Sequence, residues 1–231
     1  MRKLFELIKI IDSNSVLYEI FKSCPYEILR QCQIKKYPAG TIICHQGEII
    51  NCLTIIVNGA VNVFTVNEHG KKYTIATHQC GAIIGEMEFF QKKPFVCSVE
   101  AVTDLTVIEI KPDSFLKWVA EDRKISAYVI EVLSNKFYYY SLKVNNDIMY
   151  PLKDRLCTYL LSRCKQQSTK TTGIVVKVNK EKLSEEFAVT SRSIHRVLYN
   201  LQKKNIIQVK TDAIIIKELD LLAAEVEGRS T

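Results

Sequence analysis

Residues 183–201, LSEEFAVTSRSIHRVLYNL, constrain the fold most, because apolar residues recur at helical spacing on both sides of a single break. Leu183 and Phe187 lie four residues apart and therefore share one helical face. Beyond the break, Thr190 or Ser191 is placed to cap a second helix with its hydroxyl group. The apolar positions of that helix are Ile194, Val197, Leu198 and Leu201. The pattern predicts two short helices joined by a tight turn, a helix-turn-helix.

Polar residues gather at the N-terminal, solvent-facing side of the second helix. We predict that these residues bind DNA: Thr190, Ser191, Arg192, Ser193, His195 and Arg196. Arginine can donate two parallel hydrogen bonds to guanine, and serine or threonine can reach base edges or phosphate. The alternative is a solvated helix with two surface arginines. Charge favours DNA, since residues 151–210 carry a net charge of +9 whereas the whole chain carries +7.

Between residues 37 and 110 the sequence alternates in the manner of short β-strands, with turn signals roughly every ten residues. One predicted strand, residues 61–66, places Val61, Val63 and Thr65 on one face. Such a series predicts a β-sandwich or barrel. Residues 4–34 are predicted to be helical, and Pro112 is placed to begin another helical region.

A longer helix is predicted from about residue 123 to residue 146. Its apolar residues step by three and four, which favours a contact between two subunits. The predicted dimer-interface residues are Ile130, Leu133, Phe137, Tyr140 and Val144. Packing of the helix on its own β-strands is the alternative, and both contacts can hold at once. Residues 145–147, Asn-Asn-Asp, predict a polar break before Pro151 begins a second domain.

That second domain is predicted to contain a helix at residues 152–164, a polar loop at 166–173 and a strand at 174–178. Two short strands at residues 206–209 and 214–216 flank Thr211 and Asp212 as a hairpin. A hairpin that follows a helix-turn-helix in this way predicts a wing.

The eight cysteines are irregularly spaced and form no Cys-x-x-Cys pair, so neither a zinc ribbon nor an iron–sulfur cluster is predicted. A cupin-type metal enzyme is disfavoured as well, because His45, His69 and His78 provide no His-x-His pair. Neither a signal peptide nor a membrane-spanning stretch is apparent. We therefore expect a cytoplasmic protein with reduced thiols, no metal, no cofactor and no enzymatic activity.

Three motifs in order resemble the cyclic-nucleotide-binding β-roll: residues 37–43 with 46–48, residues 55–61, and residues 84–86. Together with the helix-turn-helix, they resemble the catabolite-activator/fumarate-nitrate-regulator (Crp/Fnr) family of bacterial transcription factors over about residues 30–220. The resemblance implies an α+β fold in three parts. They are a β-roll sensor domain with flanking helices (1–122), a dimerisation helix and hinge (123–147), and a winged helix-turn-helix (148–231). It also implies a homodimer on a palindromic operator in double-stranded DNA, with RNA polymerase as a further partner and no membrane contact.

The resemblance places a candidate effector pocket at Ile84, Gly85, Glu86, Met87, Phe95, Val96, Tyr140 and Ser141. Members of the family that bind cyclic AMP hold its phosphate with an Arg-Ser pair, and the matching positions here are Phe95 and Val96. An apolar pair cannot neutralise a phosphate, so we predict that cyclic AMP does not bind. Substitution of that pair by Lys92 and Lys93, and ligation of a haem by His78, are weaker alternatives.

The helix-turn-helix also departs from the family pattern. Ala188 stands where the turn usually has glycine, and Arg192 stands where many relatives have glutamate. Because glutamate accepts from cytosine and arginine donates to guanine, we expect a different half-site. Arg196 matches the arginine of the family that contacts bases or phosphate. Two further interpretations stay open: a redox sensor that acts through cysteines, and a constitutive DNA-binding protein whose β-roll is only a scaffold.

Overall fold

The computed structural model describes residues 2–165 and 173–227. Its helices are α1 (Arg2–Asp12), α2 (Ser15–Phe21), α3 (Tyr26–Leu29), α4 (Glu86–Gln91), α5 (Pro112–Glu121), α6 (Arg123–Met149), α7 (Leu152–Lys165), α8 (Lys180–Glu186), α9 (Ser191–Lys203) and α10 (Leu219–Glu227). Its strands are β1 (Gln33–Tyr37), β2 (Ile42–Cys44), β3 (Leu53–Asn58), β4 (Val61–Val66), β5 (Lys72–His78), β6 (Ile83–Ile84), β7 (Ser98–Ala101), β8 (Leu105–Ile110), β9 (Ile174–Lys177), β10 (Ile207–Val209) and β11 (Ala213–Ile216). The predicted α+β class is therefore confirmed.

The chain divides into two compact units. The first takes in the chain up to Asn67 together with Thr74–Tyr139, and the second takes in Glu68–Tyr73 and the chain from Tyr140 onward. The predicted domain boundaries at residues 122 and 147 stay predictions. Apart from Gly173, the predicted polar loop at 166–173 lies outside the described residues.

Two four-stranded sheets build the β-roll of the first unit, with strand orders β1-β8-β3-β6 and β2-β7-β4-β5. Alternation along β3 sends neighbouring side chains to opposite faces of its sheet. Ile55 packs against the helices, in a core that also contains Phe115 and Trp118. Ile56 packs in a second core with Val61 and residues of both sheets. Because β3 and β8 are buried on both faces, most residues along each strand are apolar.

The predicted helical region at residues 4–34 is divided into three helices and ends earlier than expected, because β1 already begins at Gln33. Asn14 separates the first two helices, and its side-chain oxygen accepts hydrogen bonds from the N–H groups of Val16 and Leu17 at the start of α2. Strand β1 pairs with β8 in antiparallel register, with Tyr37 opposite Leu105. Pairing with β8 thus makes residues 33–37 a strand, although their own sequence pattern does not distinguish a strand from a helix.

The long helix α6 continues through residues 145–147, so the predicted polar break is wrong. Asp147 is stabilised inside the helix by ion pairs with Lys143, at 3.8 Å, and with Arg155, at 2.5 Å. The helix ends at Met149 because the residue before a proline, here Tyr150, is disfavoured in helical conformation. In the described part of the chain, no helix combines the length and the apolar character that crossing a membrane requires.

The second unit packs its helices on one three-stranded sheet, ordered β10-β11-β9. Its core is apolar and joins α7, α8, α9 and α10 to the sheet through residues such as Leu156, Ile194, Ile214 and Leu222. The hairpin β10–β11 is the predicted wing, and its tip is closed by the Lys210 N–H, which donates to the Ala213 carbonyl at 2.8 Å. The sheet and core hold the helix-turn-helix in place.

Candidate nucleic-acid interface and effector pocket

The first helix of the helix-turn-helix is α8, and its start and end are both fixed locally. The Asn179 side-chain oxygen accepts from the N–H groups of Glu181 and Lys182 at 2.9 and 3.1 Å. The turn that follows contains Ala188 at a φ of 54°, which lies in the left-handed region. Its carbonyl accepts a hydrogen bond from Lys71 Nζ at 2.6 Å. An alanine therefore adopts the left-handed conformation in which glycine is usual.

The second helix, α9, is capped by Thr190, whose Oγ1 accepts from the Ser193 N–H at 3.2 Å. One face of α9 is buried in the core through Ile194, Leu198 and Leu201. This burial follows the predicted apolar spacing. The opposite face of the helix is consequently directed to solvent.

That solvent face carries the polar residues of α9 at positions i, i+3, i+4 and i+7. They are Arg192, His195, Arg196 and Tyr199, all of which are exposed. Among the residues that the structure describes, neither arginine has an ion-pair partner. Tyr199, 66% exposed, lies on the same face but is not among the predicted DNA-binding residues. Its position seven residues after Arg192, on the same helical face, is the signal that would have found it.

The remaining predicted DNA-binding residues lie around the first turn of α9. Thr190 and Ser191 are exposed and Ser193 is half-buried. The Ser191 hydroxyl donates to Ser184 Oγ at 3.4 Å, which links this turn to α8. All six predicted residues thus lie within two turns at the positive N-terminal end of a 13-residue helix. Their contact with DNA stays a prediction.

Two lysines of the second unit are neutralised by one carboxylate inside the protein. Glu225 lies between Lys153 and Lys204, at 3.0 and 2.5 Å from their ammonium groups. The hydrogen bond from Lys204 lowers the pKa of Glu225 below its usual value. Within the described residues, the exposed arginines of α9 have no such internal partner, so they are among the charges available to an external anion.

In the first unit, the Gly-Glu motif of the candidate effector pocket opens the short helix α4. Gly85 caps α4 at a φ of 92°. Glu86 is only 3% exposed, and its carboxylate forms an ion pair with Lys136 of α6 at 2.6 Å. Lys136 Nζ also donates to the Ile83 carbonyl at 2.8 Å. The carboxylate that the family resemblance assigns to a ligand is therefore paired with a lysine of the same chain.

The structure brings only part of the predicted effector pocket together. Ile84 and Phe95 are buried in one core cluster. Met87 and Val96 are exposed, and the Val96 N–H donates to Glu88 Oε1 at 3.2 Å. Tyr140 and Ser141 belong to the second compact unit. The Phe95 side chain therefore packs in the core of the β-roll, and the prediction that cyclic AMP does not bind stays a prediction.

The predicted dimer-interface residues of α6 fall into two groups. Ile130, Phe137 and Val144 are 64%, 77% and 55% exposed and follow one another at seven-residue steps. Leu133 instead packs against the core of the first unit. Tyr140 is half-buried. The exposed stripe therefore runs through three of the five predicted residues.

Cysteine chemistry receives little support from the environment of the thiols. All eight cysteines are free. Burial raises the pKa of Cys32 and of Cys44 to about 12, which disfavours the reactive thiolate. Within the described residues, no group of three or more His, Cys, Asp or Glu side chains is arranged to hold a metal ion.

Comparison with known proteins agrees with this architecture. Residues 34–122 match the cyclic nucleotide-binding domain family, and residues 154–225 match the Crp-like helix-turn-helix domain family. The cAMP-activated global transcriptional regulator CRP of Salmonella typhimurium is 26% identical over 191 residues, which cover 81% of this chain and 91% of that protein. The cAMP-activated regulator Vfr of Pseudomonas aeruginosa is 21% identical, with 82% and 92% covered.

Solved structures show the same fold. The c-di-GMP responsive regulator CLP of Xanthomonas campestris has a TM-score of 0.72 at 17% identity, with 81% of this chain and 95% of that chain covered. A Crp/Fnr-family regulator from Eubacterium rectale has a TM-score of 0.71 at 15% identity, with 94% and 96% covered. The chain belongs to the Crp/Fnr family and is a Crp-like transcription regulator with a helix-turn-helix DNA-binding domain.

Proposed function

We propose that this chain acts as a homodimer that binds a palindromic DNA operator through the exposed face of α9. The observation that carries the proposal is the pair Arg192 and Arg196, one turn apart, exposed and without an ion-pair partner among the described residues. A guanidinium left in water at a helix N-terminus can form two hydrogen bonds with guanine or bind phosphate. Tyr199 extends the same face by one turn.

The dimer is supported by the exposed apolar stripe of α6. Ile130, Phe137 and Val144 recur every seven residues, with Ser134 and Ser141 on the same face between them. An apolar stripe at this spacing is typical of a two-stranded coiled coil, in which each residue packs between residues of the partner helix. A two-fold dimer presents its recognition helices to half-sites whose centres are about 10–10.5 base pairs, one DNA turn, or a multiple apart.

The proposal excludes cyclic AMP as the effector, although the relatives CRP and Vfr are cAMP-activated. Two observations support the exclusion: Phe95 is buried in the core, and Glu86 is already paired with Lys136. Lys92 and Lys93 are exposed in the following loop. The same ion pair also favours the alternative of a constitutive DNA-binding protein. The raised pKa values of the buried thiols weigh against a redox sensor. A contact with RNA polymerase stays a prediction.

Selection of bound sites from random duplex DNA tests the proposal. The purified chain is used without added ligand at about 0.15 M salt, because phosphate contacts make affinity depend on ionic strength. We expect enrichment of a palindrome with guanine in each half-site. The double variant Arg192→Ala/Arg196→Ala should lose the enrichment, and Lys3→Ala, an exposed cation in α1, serves as the matched control. Equal enrichment by both variants would contradict the assignment of α9.

A further inference from the structure

The tip of the hairpin between β4 and β5, residues 68–73, belongs to the second compact unit together with the helix-turn-helix. Within that unit, Lys71 Nζ donates to the carbonyl of Ala188 at 2.6 Å, in the turn between α8 and α9. The next residue, Lys72, forms an ion pair at 3.7 Å with Glu185, near the end of α8. Two consecutive residues of the hairpin tip thus contact the end of α8 and the turn that precedes α9.

A second set of contacts anchors the last residue of the hairpin tip. The Tyr73 hydroxyl donates to Asp147 Oδ2 at 2.7 Å, and Asp147 Oδ1 accepts from Arg155 Nη1 of α7 at 2.5 Å. The Arg155 guanidinium lies over the ring of Phe187, which follows α8, with its carbon 5.6 Å from the ring centroid. A hydrogen-bonded chain of partly buried groups therefore joins Tyr73 to the end of the helix that Lys72 also contacts.

The turn that Lys71 contacts contains a residue in an unfavourable conformation. Ala188 has a φ of 54°, and a residue with a Cβ is less stable in this left-handed region than in the right-handed one. The Ala188 N–H donates to the Glu185 carbonyl at 3.4 Å, which is longer than a typical hydrogen bond. The Lys71 ammonium adds a charge-assisted hydrogen bond at the strained residue itself.

The first turn of α9 depends on the conformation of this turn. Helix α9 begins at Ser191, three residues after Ala188, whereas its first residue in the apolar core is Ile194. The core therefore fixes the later turns of the helix, and the first turn, which includes Arg192, follows directly from the backbone at Ala188. A binding side chain has to be held within about 0.5 Å of its productive position. A change of φ at Ala188 would displace Arg192 by more than this distance.

We propose that Lys71 is a positioning residue for DNA recognition. Its ammonium stabilises the left-handed conformation of Ala188 and thereby fixes the first turn of α9, so that Arg192 is presented in one orientation. Lys71 acts through the turn and not through a contact of its own with DNA. The anchored Tyr73 and the ion pair of Lys72 hold the hairpin tip where Lys71 reaches the turn. This inference rests on the proposed function, since it concerns the same recognition helix.

Amide hydrogen exchange of the full chain, without DNA, tests the effect of Lys71 on the turn. The reporter is the Val189 N–H, which donates to the Ser184 carbonyl at 3.0 Å across the turn. In Lys71→Met this amide should exchange about three- to tenfold faster, because a hydrogen bond that stabilises the closed turn is lost. Lys71→Arg keeps a charged donor and should exchange like the parent chain, as should the control Lys3→Met in α1. Unchanged exchange in Lys71→Met would overturn the inference.

Fluorescence anisotropy with the operator that the parent chain selects tests the consequence for DNA binding. The Kd of Lys71→Met should be about three- to tenfold higher than that of the parent, because a smaller fraction of the protein has the competent turn. The dependence of the Kd on salt should be unchanged, since no phosphate contact is removed. A salt slope reduced by about one would overturn the inference, because it would place Lys71 on the DNA backbone.

A glycine at position 188 provides the sharpest control. In an Ala188→Gly background, Lys71→Met should change the Kd for the operator by less than about twofold, because glycine adopts the left-handed conformation without assistance. A full loss of affinity in that background would show that Lys71 does not act through Ala188, and would overturn the inference. If the parent chain selects no operator, the proposed function fails, and the exchange of the Val189 amide alone decides whether Lys71 holds the turn.

Discussion

Helices α4 and α9 both follow a residue in left-handed conformation, yet the charged side chains near their starts differ in exposure and in pairing. Gly85 precedes α4, whose first residue, Glu86, is buried and paired with Lys136. Ala188 precedes α9, whose Arg192 is exposed. A buried charge must be paired inside the protein, whereas an exposed charge stays hydrated and available. A family motif therefore indicates where a ligand could bind, whereas internal pairing decides whether the charged side chain of the motif is free to bind it.

The largest effect is expected when the internal pairing of Glu86 is broken. Lys136→Met should lower the free energy of unfolding of the first unit by about 3–5 kcal/mol, because it leaves a buried carboxylate without its counter-ion. Urea unfolding followed by tryptophan fluorescence measures this directly, since the single tryptophan, Trp118, is buried in the first unit. The double variant Glu86→Gln/Lys136→Met removes both charges and should recover most of the loss. Equal instability of both variants would mean that the lysine acts by packing and not by charge.

The role of the exposed Arg192 can be tested by a substitution that keeps its charge. Arg192→Lys should lose about 1–3 kcal/mol of discrimination at one base pair of each half-site, because lysine cannot form the two parallel hydrogen bonds of a guanidinium. The dependence of affinity on salt should be unchanged. Fluorescence anisotropy with matched and mismatched operators over a salt series measures both quantities. A changed salt slope with intact discrimination would place Arg192 on phosphate instead.

The stability of the first unit should depend on pH through protonation of His78. The imidazole has a pKa of about 4 in the folded chain and about 6.5 when unfolded, so the unfolded chain binds the proton more tightly. Stability from this group is complete above about pH 6.5 and falls toward pH 4, by at most about 1.4 kcal/mol per pH unit. Trp118-monitored unfolding should show a shallower slope in His78→Leu over this window. Parallel curves for the two proteins would contradict the lowered pKa.

The smallest effect concerns Ala188, the left-handed residue before α9. Ala188→Gly should stabilise the second unit by about 0.5–1 kcal/mol, since it removes a left-handed penalty of about 1–2 kcal/mol and adds a glycine entropy loss of roughly 0.5–1 kcal/mol. Hydrogen exchange of the α9 amides measures the change. The matched control is Ala223→Gly in the middle of α10, which should destabilise the unit by about 1 kcal/mol. Shifts in the same direction for both variants would show that Ala188 is not strained.

Much of the fold could be predicted because local pattern and tertiary structure agree. The apolar spacing of residues 183–201 predicts both helices, and Thr190 caps α9 as expected. The alternation after residue 37 predicts short β-strands in a sandwich or barrel, and the family resemblance implies the β-roll. That resemblance is confirmed by the two matching domain families. The predicted break at residues 145–147 is wrong because Asn and Asp disfavour helix interiors only when nothing compensates, and Asp147 is compensated by Lys143 and Arg155.

The ion pair of the effector pocket could not be predicted, since Lys136 and Glu86 are brought together only by the folded chain. The sequence separates them by 50 residues, and the apolar pattern of α6 predicts a subunit contact or packing on the β-strands without indicating a partner for Lys136. The exposure of Tyr199, by contrast, follows from helical periodicity, because Tyr199 lies seven residues after Arg192 on the same face of α9.

Gly81 fixes how closely the loop after β5 approaches α2. A Cβ at this position would lie 2.5 Å from Val16 Cγ1, and its φ of 85° lies in the left-handed region that side chains rarely adopt. The Tyr128 hydroxyl donates to the Gly81 carbonyl at 3.0 Å and ties the same loop to α6. A larger residue in place of Gly81 would therefore have to move α2 away from this loop as well as strain the backbone.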